Sequence, residues 1–164
     1  MIIERIFVAW VADRPGVLTR IASLFFRRGI NIMSLNVASS HREGASKMVI
    51  RACGTVDELR RLALFMERLV DVLDVELQDP EHVPIDELCF ARVAVTGDAE
   101  RNAVLTATAP YQPRIVRIDT DSMILTLTST PVTIDHFVDT LNDFRLLDIS
   151  RTGVTTAPAV DLRF

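Results

Sequence analysis

One pattern occurs twice along this chain, and it limits the fold more than any other feature. Strand, helix, strand, strand, helix, strand can be traced over residues 2–77 and again over 88–154. The order βαββαβ with short connections predicts an antiparallel four-stranded sheet with two helices on one face. The chain has 164 residues, which leaves roughly eighty for each copy. Each core is then thin and gains from mutual packing or from association with a second copy. The expectation is an α+β chain of two ferredoxin-like units, 1–78 and 86–164, joined by a linker at 79–85.

In the first copy, Ile2 to Ala12 predicts a strand that is apolar on both faces, as a central strand would be. Asp13-Arg14-Pro15-Gly16 then turns into a helix. Pro15 suits the first turn of that helix, where its missing N–H would have no partner anyway. Val17, Leu18, Ile21, Ala22, Leu24 and Phe25 follow at helical spacing. Arg27 and Arg28 favour the negative end of the helix dipole, and Gly29 stops the helix. Ile30 to Ser39 predicts a second strand, with Asn31, Met33, Leu35 and Val37 on one face. In antiparallel ferredoxin-like order this strand lies at a sheet edge, where a long apolar strand invites pairing with another chain. Lys47 to Cys53 alternates as a third strand. Thr55 and Glu58 have capping-box spacing, followed by a stripe of Leu59, Leu62, Ala63, Met66 and Leu69. Asp71 to Leu77 closes the copy.

Asp79 to Pro84 is polar and carries two prolines, as a linker does. The second copy runs from a strand at Leu88–Thr96 to a short helix that Asp98 would cap, with Ala103, Val104 and Ala107. A hairpin follows, Arg114–Ile118 with Met123–Leu127 around Asp119-Thr120-Asp121. Thr130-Pro131 opens the last helix, whose apolar face is Ile134, Phe137, Val138 and Leu141. Leu146 to Val154 is the final strand.

Several function classes are disfavoured. The net charge of −4 argues against non-specific nucleic-acid binding, which needs a basic surface. No apolar run approaches the roughly 20 residues that span a bilayer, and the N-terminus lacks signal-peptide features. Cys53 and Cys89 are single and distant, which suits a reducing cytoplasm better than a disulfide framework. His41, His82 and His136 show no metal-ligand spacing. No nucleophile with a nearby base and no glycine-rich phosphate loop is legible. The pattern fits a binding and assembly module better than an enzyme.

Two places stand out as candidate ligand contacts. Asp13 to Leu18 ends a central strand and begins a helix, so the free N–H groups of the first turn and the dipole could hold an anion such as an amino-acid carboxylate. Gly16 would leave the approach free of a Cβ. The same residues also make an ordinary strand-to-helix turn. Asn31 has an amide that can accept from an ammonium and donate to a carboxylate, or serve only in the turn after the helix.

Asp13-Arg14-Pro15-Gly16-Val17-Leu18-Thr19-Arg20-Ile21 with Arg28-Gly29-Ile30-Asn31-Ile32 resembles the ACT domain, an amino-acid-binding regulatory module. Leu24 to Ala38, Lys47 to Ile50, Leu69 to Val75 and Arg151-Thr152-Gly153 further resemble the small regulatory subunit of acetohydroxyacid (acetolactate) synthase. The resemblance implies an ACT domain followed by a second ACT-like domain, with no catalytic residues and no cofactor in this chain. Thiamine diphosphate, magnesium and FAD would sit only on a large catalytic partner. It also implies a cytoplasmic homodimer that activates that partner in branched-chain amino-acid biosynthesis and confers feedback inhibition, with valine the favoured effector. The implied effector site is Asp13, Pro15, Gly16, Val17 and Leu18 of one copy, facing Asn31 and Ile32 of the other. The family commonly has asparagine where this chain has Asp13. Asp13 would repel the effector carboxylate, hold its ammonium, or cap the helix. The rival of another class is a free-standing ACT-domain sensor acting on another enzyme or on transcription.

Overall fold

A computed structural model describes residues 1–157. The chain divides into two compact units. One takes Met1–Pro84 together with the described residues from Val154 onward, and the other takes Ile85–Gly153.

The first unit is built from β1 (Ile2–Ala12), α1 (Val17–Arg27), β2 (Ile32–Ser39), β3 (Ala45–Thr55), α2 (Val56–Glu67) and β4 (Val72–Gln78). Its strands lie in the order β2-β3-β1-β4, every neighbour antiparallel. The expected ferredoxin-like plan is therefore present, with β2 at an edge. Period-two alternation sends Phe7, Ala9 and Val11 of β1 and Met48, Ile50 and Ala52 of β3 to the helical side. There they meet Val17, Ile21 and Phe25 of α1 and Leu59, Leu62 and Met66 of α2. Phe7 and Phe25 pack edge to face at 5.3 Å, the arrangement ring quadrupoles favour.

Both helix ends of α1 follow from glycine. Gly16 is the N-cap at φ +88°, a left-handed conformation other residues rarely adopt. The helix therefore starts at Val17, and Pro15 lies in the turn before it, not in its first helical turn as expected. At the other end, Gly29 N–H donates to the Phe26 carbonyl and Ile30 N–H to the Phe25 carbonyl. That pair of bonds is a Schellman stop.

Two strand expectations need correction. β2 starts at Ile32, so Asn31 lies outside it, and its register slips between Ile32 and Ser34. The slip separates the face expected to be shared. Leu35 packs against the core, whereas Met33 is 47% exposed and meets Cys53 at 3.2 Å. β4 starts at Val72, not Asp71. Asp71 is buried just ahead of it.

The second unit contains β5 (Ile85–Ala94), α3 (Gly97–Thr108), β6 (Arg114–Ile118), β7 (Ser122–Ser129), α4 (Pro131–Asn142) and β8 (Leu146–Arg151). The order β6-β7-β5-β8 repeats the plan. Cys89, Ala91 and Val93 of β5 join Met123, Leu125 and Leu127 of β7 under Ile134, Phe137 and Leu141. β5 ends two residues earlier than expected, because Thr96 has become the N-cap of α3. Asp98 is not the cap; it pairs with Arg101 at 3.0 Å. β8 stops at Arg151, where the Thr152 hydroxyl, and not a strand carbonyl, takes the Leu88 N–H at 3.1 Å. Residues 158–164, expected to complete this half, lie outside the described residues.

The expected capping box opens α2. Glu58 N–H donates to the Thr55 hydroxyl, and the Glu58 carboxylate accepts from the Thr55 N–H at 2.8 Å and its hydroxyl at 2.7 Å. Those two bonds, the backbone one foremost, hold the Glu58 carboxyl below its ordinary value. A carboxyl lowered in the folded state adds stability above its unfolded value, and that stability disappears as pH falls through the folded value. The urea midpoint of the wild type should therefore fall on acidification through the carboxylate range. Glu58→Gln should fall less over the same window.

Candidate functional site

The turn between β1 and α1 is held from both sides. Ala12 N–H donates to the Asp71 carbonyl at 2.8 Å, and Asp13 N–H to the Gly44 carbonyl at 2.9 Å. The chain then reverses through Arg14, whose N–H reaches back to the Ala12 carbonyl at 3.0 Å. The first helical bond runs from Arg20 N–H to the Gly16 carbonyl at 3.1 Å. The N–H groups of Val17, Leu18 and Thr19 precede it and so have no intrahelical acceptor. No side chain among the described residues caps this end, and no acidic residue occupies the first turn of α1. The partial positive charge of the helix end is thus left uncancelled by the chain itself.

Asp71 is the anchor of this turn. It is 5% exposed, and its two carboxylate oxygens each take a different arginine. Arg14 reaches Oδ1 at 2.5 Å and Arg20 reaches Oδ2. The same Arg20 guanidinium lies 3.8 Å from where a Cβ on Gly16 would stand. A cavity of about 500 Å³ lined by Arg14, Arg20, Arg68, Leu69, Val70 and Asp71 adjoins them. Three arginines against one carboxylate leave it positive.

The residues singled out from sequence separate into two groups. Asp13, Pro15 and Gly16 are exposed in the turn, and Leu18 is 43% exposed on the first helical turn. The Val17 side chain is buried in the core, which leaves only its N–H to offer. Asp13 does not cap α1. Asn31 is exposed and Ile32 packs against the core at the far end of the same helix. Eleven residues of α1 span about 16 Å. One small amino acid cannot touch both the turn and Asn31 of a single copy. Arg14, Arg20 and Asp71 were not singled out from sequence. Asp71 lies more than fifty residues from both arginines, and no local spacing joins it to them.

The corresponding turn of the second unit differs. Thr96 N–H there donates to the Glu100 carboxylate at 2.5 Å, so α3 supplies its own anion. α3 has no side-chain cap either, but Asp98 and Glu100 in its first turn oppose the partial positive charge that the first turn of α1 leaves unopposed.

Residues 7–74 match the AHAS small subunit-like ACT domain, and residues 86–157 match the small subunit of acetolactate synthase. The chain belongs to the acetolactate synthase small-subunit family. It is 33% identical over 150 residues to a probable acetolactate synthase small subunit of Methanothermobacter thermautotrophicus, covering 92% of this chain and 89% of that one. A probable small subunit of Archaeoglobus fulgidus is 31% identical, over 87% of this chain and 89% of its own. The crystal structure of the acetolactate synthase small subunit of Thermotoga maritima superposes with a TM-score of 0.86 at 25% identity. It covers 96% of this chain and 99% of that chain. As a small subunit, this chain is a regulatory component of the enzyme and not the catalytic one. The turn and Asn31 both fall in the ACT segment.

Asp71→Asn should destabilise the first unit by about 1–3 kcal/mol, because it removes the charge that two guanidiniums meet at a buried position. Arg14→Met should cost under about 1 kcal/mol, since the Arg14 side chain is more than half exposed. Urea unfolding followed by circular dichroism measures both.

Proposed function

We propose that this small subunit binds the large thiamine-diphosphate-dependent subunit, raises its rate and carries its feedback inhibition by a branched-chain amino acid, with valine favoured. Thiamine diphosphate, magnesium and FAD belong to that partner. The observation that carries the reading is the uncapped α1 N-terminus at Gly16, with Asn31 a full helix length away. An effector needing both must lie between two copies. β2 is an edge strand with Met33 and Val37 exposed, and pairing β2 with its counterpart would extend the sheet to eight strands. The effector carboxylate would take the free N–H groups of residues 17–19, and its ammonium and carboxylate would meet Asn31 of the other copy. Such a ligand holds two ACT domains in one relative position. It shifts the complex only if it binds that arrangement better than the alternative.

The opposing arm of the reading is a homodimer that senses without a large partner, and co-purification of the thiamine-dependent chain decides between them. Alone, the subunit should not convert pyruvate to acetolactate. Added to the large subunit, it should raise the rate, and an unchanged rate at saturation would remove the activator role.

Substitutions at the site should separate sensing from activation. Gly16→Asp should abolish effector response while activation persists. It places a strained non-glycine residue at φ +88° and a negative charge where the helix end favours an anion. Gly16→Asn carries nearly the same bulk at the same backbone position without the charge, so the difference between the two isolates the charge. Asn31→Ala should remove hydrogen bonds worth about 0.5–3 kcal/mol in total, a loss of roughly twofold to more than a hundredfold in affinity. Asp13→Asn should tighten valine binding if Asp13 repels the carboxylate and weaken it if Asp13 holds the ammonium. Calorimetric titration with valine and inhibition of the reconstituted enzyme measure these effects.

A further inference from the structure

A second concavity lies in the first unit, on the sheet face turned away from α1 and α2. It holds about 560 Å³, and Trp10 of β1, Val49 and Lys47 of β3, Asn36 of β2, Glu76 of β4 and Arg42 of the β2–β3 loop line it. It shares no residue with the Asp13–Leu18 turn or with Asn31.

Trp10 is 9% exposed, and its indole N–H has no hydrogen-bond partner among the described residues. A buried indole N–H ordinarily finds an acceptor, and one that does not calls for an explanation. The Arg42 guanidinium stands 4.8 Å from the Trp10 ring centre, and the Lys47 ammonium stands 5.7 Å from it. Among the described residues neither cation has a carboxylate within 3.5 Å: Lys47 meets the Thr156 hydroxyl at 3.5 Å, and Arg42 meets Asp74 at 3.8 Å. Glu76 is the one carboxylate on the wall, and the Gln78 amide already donates to it at 2.7 Å. Two cations therefore stand beside one indole in a single recess.

We propose that this recess binds a small carboxylate anion with an apolar body. The carboxylate lies between Arg42 and Lys47, where each cation gains a charge-assisted hydrogen bond. The apolar body lies against exposed Ala38 and the small part of the Trp10 ring that remains open, which an inorganic anion would leave in water. The site is separate from the effector site proposed at the turn and does not depend on it.

Trp10 is the only tryptophan in the chain, so indole emission reports this recess alone. The full chain is titrated with 3-methylbutanoate at constant ionic strength, with 3-methylbutanamide and inorganic phosphate in parallel. The expected result is a saturable change in Trp10 emission with 3-methylbutanoate and at least about tenfold weaker responses to the other two. Arg42→Gln and Lys47→Gln should each weaken the carboxylate response by about tenfold, with unchanged circular dichroism. Gly16→Asp should titrate as the wild type does. No saturable change would overturn the proposal. So would an equal response to the amide, which would mean that charge is not read, or an equal response to phosphate, which would mean an adventitious ion only. Loss of the response in Gly16→Asp would place the binding event at the turn instead and overturn it too.

Discussion

The β1–α1 turn depends on one buried carboxylate. Asp71 sits just ahead of β4, where its carbonyl receives the last N–H of β1 and its side chain receives Arg14 and Arg20. A buried carboxylate is tolerated only when paired and hydrogen-bonded. Here the pairing joins the β1–α1 segment to a residue more than fifty positions along the chain. Arg14 is fixed on one side of Gly16 and Arg20 on the other, so the left-handed Gly16 is gripped between two anchored residues. The N–H groups that follow it are left facing outward without an acceptor of their own. Neutralising Asp71 consumes one of the two positive charges, and the neighbourhood of the turn stays positive.

The two units show how one topology can be kept for different purposes. Both place a strand-to-helix turn at the same point of the βαββαβ order. In the second unit Asp98 and Glu100 lie in the first turn of α3, and Glu100 folds back onto the Thr96 N–H. In the first, α1 has no acidic residue in its first turn. Carboxylates beside a helix end oppose its partial positive charge, so the α1 end has more to offer a free anion. The sensing role proposed for the first unit and withheld from the second rests on that difference.

What could be read from sequence was mostly local. The Thr55–Glu58 box spans three residues, and the Gly29 stop and the alternation of β3 depend on neighbours. Each appears in the structure where its spacing put it. The ferredoxin-like order followed from the repeat. Features that depend on partners far along the chain were not legible. The slip in β2 between Ile32 and Ser34 is set against β3, and it moves Met33 off the face of Leu35. Asp71 looked like the first residue of a strand because nothing nearby announces Arg14 and Arg20. Trp10 sits in a strand apolar on both faces, so sequence alone could not show that its side turns from the main core toward two cations. Gly16 and Asn31 were identified as individual residues. The resemblance put them in different copies of a shared site; the structure adds the physical reason, a helix length between them within one copy.

That separation is the centre of the functional account, and mixed dimers test it most directly. Gly16→Asp and Asn31→Ala copies, carrying different tags, are unfolded, refolded together and purified through both tags. In a mixed dimer one site combines the two damaged elements, and the other combines the intact turn of one copy with the intact Asn31 of its partner. A site shared between copies predicts that two chains, one unresponsive and the other weakened alone, regain one valine site per mixed dimer by calorimetry, with near wild-type affinity. A mixed dimer that binds valine no more tightly than the Asn31→Ala dimer, while the wild type treated in the same way keeps its affinity, would contradict a shared site.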